Sequence, residues 1–148
     1  MTAPAAGTEA FVAYTRATIA EVSSTRVVVE QPAAPELDNH VGVRHASALH
    51  SAGYEASRAL VAAALGERHR SGDLRLEESE ISYTAVGLGP LTTTAEPTGE
   101  GWDRLPVESP GEMHGITLTS TVTTTNEEGK VVARLRVRWA LALGDQHA

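Results

Sequence analysis

Between Val43 and Leu65 the residues Leu49, Gly53, Ala56, Leu60 and Ala64 fall three or four apart, and Gly66 follows as a stop signal. The spacing predicts the longest helix in the chain. Its apolar stripe is small, because Ala46, Ala52, Gly53, Ala56 and Ala63 leave little side chain on it. A helix with such a face must be packed closely by a sheet or by another helix. That requirement limits the fold more than any other feature of the sequence.

The flanking segments supply the sheet. "TRVVV" reads as a short β-branched strand, and "EQPAAPELDNH" as a loop by its prolines and polar end. "LEESEISYTAV" and "PLTTTAEPT" read as strands able to pair as a hairpin around "GLG". In "GITLTSTVTTT" Ile116, Leu118 and Val122 alternate with Thr117, Thr119 and Thr121, and only Ser120 interrupts the apolar face. After the turn "NEEGK", the residues Val131, Ala133, Leu135, Val137, Trp139 and Leu141 oppose Val132, Arg134, Arg136 and Arg138. Near the start, Phe11, Tyr14, Ile19 and Val22 recur at near-helical spacing, predicting a helix from Thr8, its cap, to about Val22. Residues Met1 to Gly7 are expected to be disordered. The order is α+β, with an antiparallel sheet on one long helix and an extra N-terminal helix.

The 148 residues fit a single domain, 1–148, with room for a core that needs no disulfide or metal. A net charge of -7 argues against nucleic-acid and anionic-membrane partners, which need a basic footprint. The chain has no cysteine, which removes thiolate zinc sites and cysteine nucleophiles together. No stretch approaches the roughly 18 apolar residues of a membrane span, and the N-terminus lacks the pattern of a secretory signal, so the chain reads as cytoplasmic. Aromatic residues make up only 4% of the chain, which argues against a pocket built on aromatic stacking.

The polar chemistry concentrates where the loop enters the long helix, in "LDNHVGVRHASALHSAGYEAS". Its segment "DNHVGVRHASALHSAGYEA" resembles the site segment of hotdog-fold acyl-CoA thioesterases of the phenylacetate-pathway type, in which an Asn, a Gly and a His lead into the central helix. Asn39, Gly42 and His45 stand at the matching places. "ISYTAVGLGPLTTTAEP" and "EEGKVVARLRVRWAL" resemble the later family strands, so the similarity runs from about Val27 to Leu143. The resemblance implies a hotdog fold, with a five- or six-stranded antiparallel sheet wrapped around the long helix. It also implies a homodimer or a dimer of dimers with sites at the subunit interface, acting on an acyl-CoA or carrier-bound acyl thioester. Coenzyme A then enters as part of the substrate, and no other cofactor is implied.

Thioester hydrolysis needs a polarised carbonyl and an activated water or carboxylate. The amides at the start of the long helix, around His45 and Ala46, offer donors for an oxyanion, with Asn39 or His45 adding a side-chain donor and Gly42 and Ala46 expected to contact the substrate. The resemblance places the family carboxylate at Tyr54, and the neighbouring carboxylate is Glu55. One residue is about 100° of helix rotation, so the two face different ways. Either Glu55 activates water, or Tyr54 and His45 hold a ligand without hydrolysing it. A third chemistry on the same scaffold is dehydration or cyclisation of a polyketide-like thioester.

Plainer roles stand beside these. Asn39 with His40 suits a turn and helix cap, Tyr54 suits packing, and Glu55 suits an ion pair with Arg58 three residues on. Arg136 and Arg138, with Arg134, form either a solvated strand face or a cationic strip for coenzyme A phosphates. His40, His45 and His50 share no helical face, which argues against zinc. His50 reads as a helix-surface or interface residue, and Ser47 and Ser51 follow no serine-nucleophile motif.

Overall fold

The computed structural model describes residues 10–66, 74–105 and 115–141. The cap expected at Thr8, the disorder expected of Met1 to Gly7, and the segment "ERHRSGD" lie outside the described residues. Helix α1 (Ala10–Tyr14) leads into β1 (Thr18–Val22) and β2 (Val27–Gln31), and a 3-10 turn at Pro35–Leu37 precedes α2 (Ala46–Leu65). Four further strands follow: β3 (Leu74–Tyr83), β4 (Leu91–Thr98), β5 (Thr117–Thr125) and β6 (Val131–Leu141).

All six strands form one antiparallel sheet in the order β1-β2-β4-β5-β6-β3, and α2 packs on its inner face. The small stripe on α2 is what permits the close approach. A Cβ at Gly53 would stand 2.5 Å from Leu135 Cδ2 and 3.0 Å from Cδ1. Leu135 is itself buried, so it has little room to withdraw. Gly53→Ala is therefore expected to cost stability, because overpacking of roughly 1–3 kcal/mol exceeds the ~1 kcal/mol gained in helix propensity. Thermal denaturation measures the balance. A melting temperature at or above that of the unmodified protein would mean that Leu135 finds another rotamer.

Ser120, the interruption in the apolar face of β5, has a partner in the core. Its hydroxyl lies 2.6 Å from Ser57 Oγ on α2, and Trp139 Nε1 donates to that same Ser57 oxygen at 2.8 Å. Three polar atoms thus satisfy one another between helix and sheet, with no uncompensated desolvation.

Two local expectations are corrected. The N-terminal helix ends at Tyr14 rather than near Val22: Thr15 Oγ1 donates to Val12 O at 2.7 Å, Arg16 adopts φ 59, and the chain turns into β1. All five β1 residues are exposed, so burial imposes no strand period, and pairing with β2 decides the conformation. Nor do β3 and β4 form a hairpin. β3 crosses to the far edge and pairs with β6, setting Glu78 opposite Arg138 and Glu80 opposite Arg136, and such opposite-charge cross-strand pairs favour that register. Among the described residues no helix is long and apolar enough to cross a membrane.

Candidate active site

The loop before α2 is held from inside by Arg44, whose residue is 3% exposed. Its Nη1 donates to Gln31 Oε1, its Nη2 donates to Pro32 O at 2.9 Å and Gly89 O at 2.8 Å, and its Nε lies 3.7 Å from Asp38 Oδ1. Burial pulls the guanidinium below its usual range, and the Asp38 carboxylate acts in the opposite direction. Gln31, also buried, passes the network on by donating to Thr15 O at 3.0 Å. Sequence reasoning passed over this clamp. A usable signal existed, since Arg44 is the only Arg or Lys between Arg26 and Arg58.

On that frame Asn39 and Gly42 shape the turn. Asn39 Oδ1 accepts from Val41 N at 3.0 Å and Val43 N at 3.3 Å, an Asx-type turn, while Gly42 takes φ 81, a conformation that favours glycine. His45 is the N-cap of α2. Its backbone is extended at φ -61 and ψ 139, and its Nδ1 accepts from Ser47 N at 3.0 Å. An accepting Nδ1 puts the ring proton on Nε2, which is left as a donor. His45 O accepts from Ala48 N at 3.0 Å and Leu49 N at 3.2 Å. The Ala46 amide is then the one in this first turn without an acceptor among the described residues, at the positive end of a 20-residue helix.

A cleft of about 470 Å³ runs along α2 from this end. Its floor is Ala46, Ser47, His50, Ser51 and Tyr54, spaced so that they share one helical face, and its walls are Phe11 and Val12 of α1 and Tyr83 of β3. The chain has one Phe, three Tyr and two Trp, and Phe11, Tyr54 and Tyr83 all line this cleft. Low aromatic content was a misleading guide, because the few rings are concentrated in one place. Tyr54 serves packing as well: its ring centroid lies 5.6 Å from that of Trp139. His50 Nε2 sits 2.9 Å from Ser79 Oγ on β3. Ser51, 5% exposed, has a hydroxyl with no hydrogen-bond partner among the described residues.

The structure does not bring Glu55 to the cleft. It is 1% exposed, and both its oxygens are held by Arg58, Oε1 at 2.7 Å from Nη2 and Oε2 at 3.2 Å from Nε. Arg136 and Arg138 are also elsewhere: they alternate with the buried Leu135, Val137 and Trp139 and so lie on the outer face of the sheet. Arg138 there meets Glu77 and Glu78, each at 3.5 Å. Among the described residues no group of three His, Asp or Glu is placed to hold a metal ion. The sequence reading left the stripe Ser47, His50, Ser51 and Tyr54 unassembled, although its spacing of three, four and seven was available.

A family model described as a domain of unknown function, DUF4442, matches residues 5–141. The chain belongs to the DUF4442 family. This DUF4442 domain superposes on S. sahachiroi AziG with a TM-score of 0.75 and 19% identity, covering 91% of this chain and 98% of that one. It matches a mutant of the thioesterase enzyme SAV0944 from Staphylococcus aureus with a TM-score of 0.70 and 15% identity, over 90% and 99% of the two chains. The E. coli PaaI protein from the phenylacetic acid degradation operon gives a TM-score of 0.69 and 16% identity, over 90% and 84%. At these identities the likeness is one of fold, and the fold of this DUF4442 domain is the hotdog fold. No curated protein sequence matches the chain.

Proposed function

We propose that this DUF4442 protein binds an acyl thioester in the cleft along α2 and hydrolyses it to free acid and thiol. The observation that carries the reading is a cleft headed by Ala46, whose amide has no acceptor among the described residues, with apolar walls and a floor of Ser47, His50, Ser51 and Tyr54. The thioester carbonyl would lie at the start of α2, with its oxygen toward the Ala46 N–H and the Nε2–H of His45. Donors fixed before the reaction stabilise the oxyanion without reorganising, and losing one such donor costs on the order of 3 kcal/mol of barrier. Tyr54, at the place where the resemblance puts the family carboxylate, lines the cleft beside His50 and Ser51. The acyl group fits against Phe11, Val12 and Tyr83.

The acyl group would arrive as its coenzyme A or carrier-protein thioester. A second copy of the chain fits the same picture, because β3 is a ten-residue edge strand whose exposure leaves it open to pairing. The name of the SAV0944 thioesterase supports the choice of reaction. One observation favours a second reading: no Asp or Glu lines the cleft among the described residues. A site that grips the thioester without activating water would be a binding module.

Release of free thiol from acetyl-, hexanoyl-, palmitoyl- and benzoyl-CoA tests the proposal. Turnover of at least one is expected. Saturable binding without thiol release from any of them would replace the hydrolase with the binding module.

A further inference from the structure

We infer that His50, held by Ser79 of the edge strand, is the group that takes the proton from the attacking water; the inference rests on the hydrolytic reading above. The cleft has no carboxylate among the described residues, so the base must be sought among the groups that line it. His50 is the one imidazole on its floor. Its ring is fixed from the edge strand β3, with Nε2 2.9 Å from Ser79 Oγ. When Nε2–H donates to that hydroxyl, Nδ1 carries the free lone pair. Ser79 thus acts as a positioning residue that fixes the ring orientation.

The spacing suits the task. From Ala46 to His50 is four residues on the same face of α2, about 6 Å along the axis. That is the span needed by a carbonyl oxygen bound at the Ala46 amide and a water poised on its carbon at hydrogen-bond distance from His50. A second feature lies one residue on. The buried Ser51 hydroxyl lines the same cleft with no partner among the described residues, and such a group is costly unless something joins it. A water between His50 and Ser51 would satisfy it.

The step then balances. The water oxygen bonds to the thioester carbon as its proton passes to His50 Nδ1, and the carbonyl electron pair moves to the oxygen at the Ala46 N–H. The tetrahedral intermediate collapses, the carbon–sulfur bond breaks, and the departing thiolate takes the proton back from His50. Acid and thiol are released, and His50 is neutral again. The groups facing His50 are Phe11 and Val12 from α1, Ser79 and Tyr83 from β3, and Ser47, Ser51 and Tyr54 from α2. Of these only the tyrosines titrate, and no charged side chain lines the cleft among the described residues.

The test is steady-state hydrolysis of hexanoyl-CoA and benzoyl-CoA by the full-length protein from pH 5 to 9, with thermal denaturation of every variant. In the unmodified protein kcat/KM is expected to rise with pH through a single ionisation. His50→Gln is expected to lose about 100-fold in kcat, within the range for a general base, and to lose that rise. Ser79→Ala is expected to lose about tenfold in kcat at unchanged KM, and Ser79→Thr, which keeps a hydroxyl, to recover most of it. His50→Gln within threefold of the unmodified protein, with its pH dependence intact, would remove His50 from the chemistry while hydrolysis stood. A large loss with the pH rise preserved would make His50 structural and overturn the assignment. Absence of turnover by the unmodified protein would overturn the assignment and the hydrolytic reading together.

Discussion

Arg44→Met is expected to lower the stability of the fold by about 3–5 kcal/mol, a large share of the roughly 5–15 kcal/mol that holds a domain of this size together. The cause is what the substitution leaves behind. Arg44 is 3% exposed and donates to Gln31 Oε1, Pro32 O and Gly89 O, which come from two separate segments, the end of β2 with the residue after it and the loop before β4. Methionine fills much of the volume and donates nothing, so these acceptors lose their partner in a site closed to water. Lysine would restore the charge but not the planar fork, and is expected to recover less than half of the loss. The damage also reaches the cleft, because the lost side chain holds the loop that carries the cap residue His45, although the backbone bond from Arg44 N to Gly87 O at 2.8 Å is kept. Urea denaturation measures the effect. A loss below 1 kcal/mol would show that the loops are held by something other than this side chain.

Glu55→Gln is expected to leave thioester hydrolysis within about threefold while lowering stability by about 1–3 kcal/mol. Both carboxylate oxygens are already engaged by Arg58, and Glu55 does not line the cleft. In that state the carboxylate is occupied as an ion-pair partner on α2. Glutamine keeps the shape and one acceptor, but sets an NH₂ group against the guanidinium and removes the negative charge that Glu55 places beside Arg58. Side-by-side kinetics and denaturation decide it. Lost turnover with an unchanged melting temperature would return Glu55 to the chemistry and count against the cleft described here.

The errors in reading the sequence have a common origin. The long helix and the alternating strands β5 and β6 were legible because a buried face imposes a period on neighbouring residues. β1 was not, because with all five residues exposed no period is imposed, and Phe11, Tyr14, Ile19 and Val22 fell into helical spacing without sharing a helix. The hairpin expected of β3 and β4 failed for a related reason. Both segments are strands, but the choice of partner lay far along the chain in the arginines of β6, so that β3 pairs at Glu78 with Arg138 and at Glu80 with Arg136.

The site divides along the same line. Asn39, Gly42 and His45 were picked out by the family resemblance of their segment, and the structure makes of them a turn, a left-handed glycine and a helix cap, with the cap at His45 rather than at Asn39 and His40. What local order determined was therefore a capped helix with a small face, the strands that cover it, and a polar entrance. The tertiary structure decided which side of that helix is open. It turned Glu55 inward onto Arg58, gathered Phe11, Tyr54 and Tyr83 around one cleft, and set Ser79 beside His50. These outcomes depend on which surfaces other elements cover, and burial is a property of the packed molecule that no short stretch of its sequence contains.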